Sequence, residues 1–146
     1  MYKTILVPLD GSRRAESILP HVENLAMQFK SKVFFLQVVT LHDTNIHIDY
    51  IDQYLYNFNL KKEEIKAYLA SLQEGFQKKG IEASFLIEEG AVSETILAVA
   101  QKENVDLIAI ASHGRSGLSR VFYGSVAAGI LHKIDRPILV IRSRNI

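Results

Sequence analysis

Five short apolar runs alternate with stretches of helical periodicity along the chain, and this alternation predicts the fold. The runs are TILVPL at 4–9, KVFFLQVV at 32–39, IEASFLI at 81–87, DLIAIA at 106–111 and PILVI at 137–141. Four of them are nearly continuous, as is typical of strands covered on both faces in a parallel sheet. The run at 81–87 alternates more between apolar and polar residues, so we expect that strand nearer an edge of the sheet.

Apolar positions at helical spacing fill the gaps between the runs. They recur three and four residues apart in four segments, which begin at Ala15, Ile65, Val92 and Val126. Ser12 is the expected N-cap of the first helix. The apolar stripe stays in phase across Pro20, so we expect this proline to kink that helix without ending it.

The order of the elements is therefore strand–helix, four times over, closed by a fifth strand. It predicts an α/β fold with a parallel sheet between two layers of helices, in one domain spanning 1–146. The connection at 40–59 is the exception, because it is too long for a passive loop. Helical spacing of Ile48, Ile51, Leu55 and Phe58 predicts that part of it is a helix.

Composition and charge exclude several classes of protein. The net charge of +1 gives no general attraction to nucleic acid or to anionic membranes. The absence of cysteine excludes disulfides and thiolate metal sites. No apolar stretch approaches the roughly 18 residues that a membrane helix needs, and the amino terminus does not have the pattern of a signal peptide. We therefore expect a soluble, cytoplasmic protein.

The stretch ASHGRSGLSRVFYGSV at 111–126 carries the candidate chemistry. It leaves the fourth strand where ligands bind in open parallel sheets, beyond the carboxyl ends of the strands. Gly114 and Gly117 permit the positive φ and the close backbone approach of an anion-binding nest. The next helix opens at Gly124, Ser125 and Val126, whose free amides and helix dipole favour an anion. A flexible turn that binds nothing is the alternative interpretation.

Neighbouring side chains favour the anion site. His113, Arg115 and Arg120 add cationic groups or donors around the glycines, and Asp10 follows the first strand across the expected crevice. The Walker pattern and the pattern GxGxxG after the first strand are both missing, so P-loop hydrolysis and dinucleotide oxidoreduction fit poorly. A second polar group lies in the long connection: His42, Asp43, His47 and Asp49. Its spacing matches no standard metal site, so we interpret it as a surface loop.

Three ordered motifs resemble the universal stress protein family: KTILVPLDGS near the start, the stretch at 111–126, and RPILVIR near the end. ATP-binding members of that family carry the pattern G-x2-G-x9-G-[ST]. Gly114, nine residues and then Gly124-Ser125 reproduce its latter part. Ala111 stands where the pattern has its first glycine, and it adds a methyl group where the backbone should approach the ligand.

The resemblance implies a Rossmann-like sheet in the order 3-2-1-4-5, with an adenine nucleotide, most readily ATP, lying across strands one and four. Pro8 and Asp10 would contact its base and ribose end, and the backbone of Val38 would contact adenine. The phosphates would lie on Gly114, Gly124, Ser125 and Val126. Mg²⁺ or Mn²⁺ would accompany a triphosphate, with Asp10 or Ser125 as a candidate ligand.

The resemblance also implies a homodimer joined through the last strand, at 137–142. We therefore expect a small stress-response protein that acts as a nucleotide-dependent regulatory dimer with an unidentified protein partner. Two alternatives stay open: a scaffold dimer of the same fold without nucleotide, and a weak metal-dependent ATP hydrolase. No nucleophile and base can be placed by motif, so ATP hydrolysis is expected to be slow at most.

Overall fold

The structure is a computed structural model, and it describes residues 1–40, 51–112 and 124–143. Its described residues form a five-stranded parallel sheet in the order β3-β2-β1-β4-β5, as predicted. The strands are β1 at Thr4–Pro8, β2 at Lys32–Val39, β3 at Glu82–Glu89, β4 at Leu107–Ser112 and β5 at Ile138–Arg142. The expectation that the more alternating third run lies at an edge is confirmed, because β3 is the outermost strand beside β2.

Helices cover both faces of the sheet. They are α1 at Arg13–Glu16, α2 at Leu19–Phe29, α3 at Ile51–Lys78, α4 at Val92–Lys102 and α5 at Gly124–Leu131. Buried side chains of α2 and α3 pack on one face of the sheet, and those of α4 and α5 pack on the other. The α/β/α layers follow from the sequence, since nearly continuous apolar strands need cover on both sides.

The expectation of one helix kinked at Pro20 is wrong, because the structure has two helices there. Ser12 caps α1 as predicted, with its Oγ accepting from the Ala15 amide at 3.1 Å. The Ser17 hydroxyl donates to the Arg14 carbonyl at 2.7 Å at the end of α1. Pro20 has no N–H for the carbonyl of Glu16, so it ends the first run of helical bonds and lies in the first turn of α2.

The prediction of a helix within the long connection is confirmed, because α3 begins at Ile51 and continues to Lys78 without interruption. Residues 41–50, which contain His42, Asp43, His47 and Asp49, lie outside the described residues. The surface-loop interpretation of that group therefore stays a prediction.

The register of β1 explains where the sheet opens. Its pairing with β2 runs from Thr4 to Pro8, whereas its described pairing with β4 ends at Leu6 and Ile108. The Leu9 amide donates to the Leu36 carbonyl of β2 at 2.8 Å. Because successive amides of a strand alternate in direction, the nitrogen of Pro8 faces β4, and proline has no hydrogen to donate there. Beyond Leu6 the two strands are free to separate.

Candidate functional site

A cleft of about 220 Å³ lies at the carboxyl ends of β1 and β4, where the two strands separate. We call it the central cleft. Its walls come from the ends of the strands, from α1, and from the first turns of α4 and α5. The lining residues are Pro8, Leu9, Asp10, Arg14, Ala15, Leu36, Val38, Val92, Ile96, Ile110, Ala111, Val126 and Ala127. The place is the switch point of the sheet, where connections leave toward opposite faces.

The structure brings five of the predicted site residues together in the central cleft: Pro8, Asp10, Val38, Ala111 and Val126. The predicted Gly124 and Ser125 begin α5, directly before Val126, and Ser125 is exposed. The remaining predicted residues, His113, Gly114, Arg115 and Gly117, lie outside the described residues, as does Arg120.

Asp10 is held in a compact turn at the mouth of the cleft. Its Oδ1 accepts from the Ser12 amide at 2.9 Å and from the Ser12 hydroxyl at 2.6 Å. Gly11 between them has φ +86°, a conformation that favours glycine. The Asp10 side chain remains 57% exposed, so the turn fixes its direction and leaves oxygen lone pairs for a ligand.

Arg14 is a cleft residue that the sequence reasoning missed. Its guanidinium lies 3.6 Å from Asp10 Oδ2, four residues away across the start of α1. The signal was the i, i+4 spacing of a carboxylate and a cation beside a helix N-cap. The arrangement places a partly neutralised carboxylate beside a cation, which suits a ligand carrying both hydroxyl groups and negative charge.

The apolar floor of the cleft was also missed as a site. Leu36, Ile96 and Ile110 line it and belong at the same time to the core under α4 and α5. In the sequence they are ordinary apolar positions of two strands and a helix. The floor is therefore suited to a flat apolar group, while the polar residues lie at the rim.

The start of α5 is fixed against α4. Ser93 Oγ donates to the Val126 carbonyl at 3.2 Å, and Ala127 and Ile130 of α5 are buried. The first amides of any α-helix have no partner within the helix, and Val126 and Ala127 at this end of α5 line the cleft, so donors of this kind lie beside it.

A second cavity of about 360 Å³ lies beside the central cleft, between the end of β2 and the first half of α3. We call it the side cavity. Asp10 and Val38 line both cavities. On the same face of the sheet, the Tyr68 hydroxyl of α3 donates to the Glu16 carboxylate of α1. Burial, followed by this hydrogen bond and by the charges of Glu16 and Asp10, raises the pKa of Tyr68 above its ordinary value.

Two further findings concern metals and membranes. Within the three described ranges, no three histidine, aspartate or glutamate side chains come together in a way that could hold a metal ion. None of the helices in those ranges has the length and apolar character needed to cross a bilayer.

Comparison with known proteins identifies the family. The model of the universal stress protein family matches residues 1–142. The chain belongs to this family. A related sequence is Universal stress protein MJ0577 from Methanocaldococcus jannaschii, which is 27% identical over 99% of this chain and 98% of the relative.

Solved structures share the fold of this universal stress protein. A structure of MJ0577 has a TM-score of 0.83 and 30% identity over 100% of this chain and 99% of that one. A universal stress protein in complex with cAMP has a TM-score of 0.72 and 17% identity, with 97% of both chains covered. One from Archaeoglobus fulgidus in complex with dAMP has a TM-score of 0.65 and 21% identity, over 96% of this chain and 98% of that one.

Proposed function

We propose that residues 1–146 form one domain that binds an adenine nucleotide, ATP foremost, in the central cleft. The protein acts as a nucleotide-dependent regulatory dimer in the cytoplasm during stress. The observation that carries the proposal is the cleft itself, which lies at the switch point of the sheet between Asp10 and the start of α5. Polar groups lie at both ends of the cleft, and an apolar floor lies between them.

In the proposed complex the nucleotide lies across β1 and β4. The base packs near Pro8 and Val38, the ribose hydroxyls donate to Asp10, and the phosphates accept from the amides at the start of α5. That helix end supports the proposal because free amides and the helix dipole both favour negative charge. The proposed phosphate contacts extend to His113, Gly114, Arg115 and Gly117, which lie outside the described residues.

Members of the fold support the choice of ligand. The two neighbours in complex with cAMP and dAMP hold adenine nucleotides, and their chains are covered almost completely by this one. Because the two neighbours are only 17% and 21% identical to this chain, they do not assign roles to its residues. That assignment depends on the cleft described above.

A divalent cation, Mg²⁺ or Mn²⁺, is proposed to accompany a bound triphosphate. Asp10 already accepts two hydrogen bonds from Ser12 and faces Arg14, so a contact from Asp10 to the cation would replace its contact with a ribose hydroxyl. Ser125 would supply a hydroxyl. Such a donor set fits a cation held mainly by the phosphates, with one contact from Asp10 or Ser125. Any hydrolysis is proposed to be slow, because Asp10 is the one carboxylate among the described residues that line the central cleft.

The proposed homodimer joins through the segment 137–142. Strand β5 lies at an edge of the sheet and its side chains from Ile138 to Ile141 are only half-buried. An apolar edge of this kind favours a partner strand. The Ser143 amide donates to the Ser112 carbonyl of β4, so by alternation the Val140 amide faces outward. Val140→Pro should therefore reduce the dimer to monomer in sedimentation equilibrium, and Val140→Ala should not.

Calorimetric titration with ATP, ADP, AMP and cAMP tests the nucleotide site. We expect saturable binding of ATP, and about a tenfold weaker affinity in Ser125→Ala if that hydroxyl contacts phosphate. Ser71→Ala, at an exposed position of α3, is the matched control and should bind as the wild type does. The absence of any binding at millimolar nucleotide would overturn the proposal.

A second candidate function is a scaffold dimer with no nucleotide. Ala111 favours it, because it lines the central cleft at the position where the nucleotide-binding pattern has its first glycine. In that case the purified protein would carry no nucleotide absorbance, and millimolar ATP would leave its melting temperature unchanged.

A further inference from the structure

The side cavity is larger than the central cleft and has no role in the nucleotide site proposed above. It lies on the face of the sheet covered by α3, between the end of β2 and the helix. Val38 and Asp10 form part of both cavities. A group bound in the side cavity would therefore lie directly beside the base and ribose end of the proposed nucleotide.

An aromatic wall lines the side cavity on the helix side. The rings of Tyr54 and Phe58 are stacked, with 6.3 Å between their centroids and 18° between their planes. Lys62 Nζ lies 5.3 Å from the centre of the Phe58 ring and 2.6 Å from Glu89 Oε1 at the end of β3. These contacts hold the aromatic wall in place, and a fixed aromatic surface favours stacking of a planar ligand.

The opposite wall contains an unused acceptor. Gln37 lines the cavity from β2, and its Oε1 is buried with no donor among the residues that the structure describes. An unpaired buried acceptor is costly, so a donor that reaches it is favoured. For this oxygen to accept from an N–H group of a ligand, the amide must turn toward the cavity. Asn57 lies on the same cavity wall as the aromatic rings and adds a second amide.

Among the described residues, the charges that line the side cavity do not favour a second phosphate as its ligand. Its described charged residues are Lys61 and Asp10, one of each sign. Asp10 already accepts from Ser12 and faces Arg14. The described part of this wall carries no net charge, contains two aromatic rings and two amides, and therefore suits an uncharged planar group.

We propose that the side cavity is a second subsite, which binds a planar, uncharged ring next to the bound nucleotide, with an N–H donor either in the ring or on the nitrogen that carries it. Its place beside the base depends on the proposed function. The ring has two sources with the same chemistry. It is either attached to the exocyclic nitrogen of the nucleotide's own base, or it belongs to a free nucleobase.

Two titrations distinguish these sources. In the first, N6-benzyl-ATP is compared with ATP; its extra ring is planar and its exocyclic nitrogen keeps one N–H. An attached ring is supported if the modified nucleotide binds at least as tightly as ATP. In the second, adenine is titrated into protein saturated with ATP, and a free base is supported by binding of one additional equivalent.

Variants locate the binding. Asn57→Trp places a large side chain in the side cavity from the exposed side of α3. We expect it to lower the affinity for the ligand that the titrations support by about tenfold, while the affinity for ATP stays within about twofold of the wild type. Asn59→Trp is the matched control, because Asn59 is exposed on the same helix and does not line the cavity. Gln37→Leu removes the acceptor and should weaken the same ligand without changing ATP binding.

The outcomes separate this inference from the proposed function. If the protein binds ATP but binds neither N6-benzyl-ATP nor adenine, the proposed subsite is wrong and the proposed nucleotide site is retained. Equal binding of the supported ligand to Asn57→Trp and Asn59→Trp also overturns it. Adenine binding that Asn57→Trp blocks supports the subsite even in a protein that fails to bind ATP. Circular dichroism and thermal melting establish that each variant is folded.

Discussion

Ser93 of α4 leaves no room for a side chain at Gly129 of α5. A β-carbon placed on Gly129 would lie 2.5 Å from Ser93 Oγ and 3.0 Å from Ser93 Cβ. The same Ser93 hydroxyl donates to the Val126 carbonyl one turn earlier in α5. These two contacts hold the start of α5 against α4, and the glycine is needed because a side chain at this position would clash with Ser93.

Gly129→Ala should push α5 away from α4. We expect the free energy of unfolding to fall by about 1–3 kcal/mol from overpacking, partly offset by about 1 kcal/mol of helix propensity. Because the proposed phosphate donors begin this helix, ATP affinity should also fall. Urea unfolding and calorimetric titration measure the two effects.

Gly75→Ala is the control for this prediction. A β-carbon at Gly75 of α3 meets nothing within 4 Å, so this variant should gain up to about 1 kcal/mol of stability. Ser93→Gly added to Gly129→Ala should recover part of the loss, since it removes the clashing side chain. Equal effects of alanine at the two glycines would contradict the packing explanation.

Asp10→Asn tests the carboxylate at the mouth of the cleft. The asparagine oxygen can still accept from Ser12, so the turn should persist, and loss of the exposed pair with Arg14 should cost less than about 1 kcal/mol of stability. In the variant, a ligand hydroxyl that donates to this side chain would meet a neutral amide oxygen in place of a charged carboxylate. We expect about tenfold weaker ATP binding by calorimetry. Asp135→Asn, exposed in the turn before β5, should bind ATP as the wild type does.

The fold could be predicted almost completely because one physical constraint dominates it. Strands buried on both faces must be apolar nearly throughout, and helices must be apolar on one side, so the two kinds of segment are distinct in the sequence. The error at Pro20 arose where two rules compete. The helical spacing of apolar residues continues across Pro20 and predicts one helix. The missing N–H of Pro20 instead divides the segment into α1 and α2.

The site was predictable only where chain geometry alone places residues. Pro8, Asp10 and Ala111 follow or end strands, so topology brings them together at one edge of the sheet. Leu36 and Ile96 could not be recognised as lining residues, because a core position and a cleft floor have the same pattern. The side cavity could not be predicted either, since it depends on how closely α3 approaches the end of β2.

Ala111→Gly tests whether the methyl group at the wall of the cleft limits binding. Ala111 lies in β4 beside Ile141 of β5 and lines the central cleft. Removing the methyl group should allow closer approach of the ligand to the backbone and strengthen ATP binding about threefold or more. Ala111→Val should weaken it. Identical affinities for glycine, alanine and valine at this position would show that the nucleotide does not contact it.

Tyr68 makes the stability of the protein depend on pH in the alkaline range. Burial and the hydrogen bond to Glu16 raise the pKa of Tyr68 in the folded state above its ordinary value near 10. The unfolded chain therefore loses this proton at lower pH than the folded protein does. The stabilisation is fully present below the ordinary pKa and is lost progressively as the pH rises above it.

Tyr68→Phe should remove this dependence. We expect the difference in unfolding free energy between wild type and Tyr68→Phe to be constant from neutral pH to about pH 9 and to shrink above about pH 10. Urea unfolding at each pH measures it. Tyr56→Phe, at a side chain that is 64% exposed, is the control and should follow the wild type throughout. A difference that grew above pH 10 would mean that folding favours the ionised phenol, contrary to the contact with Glu16.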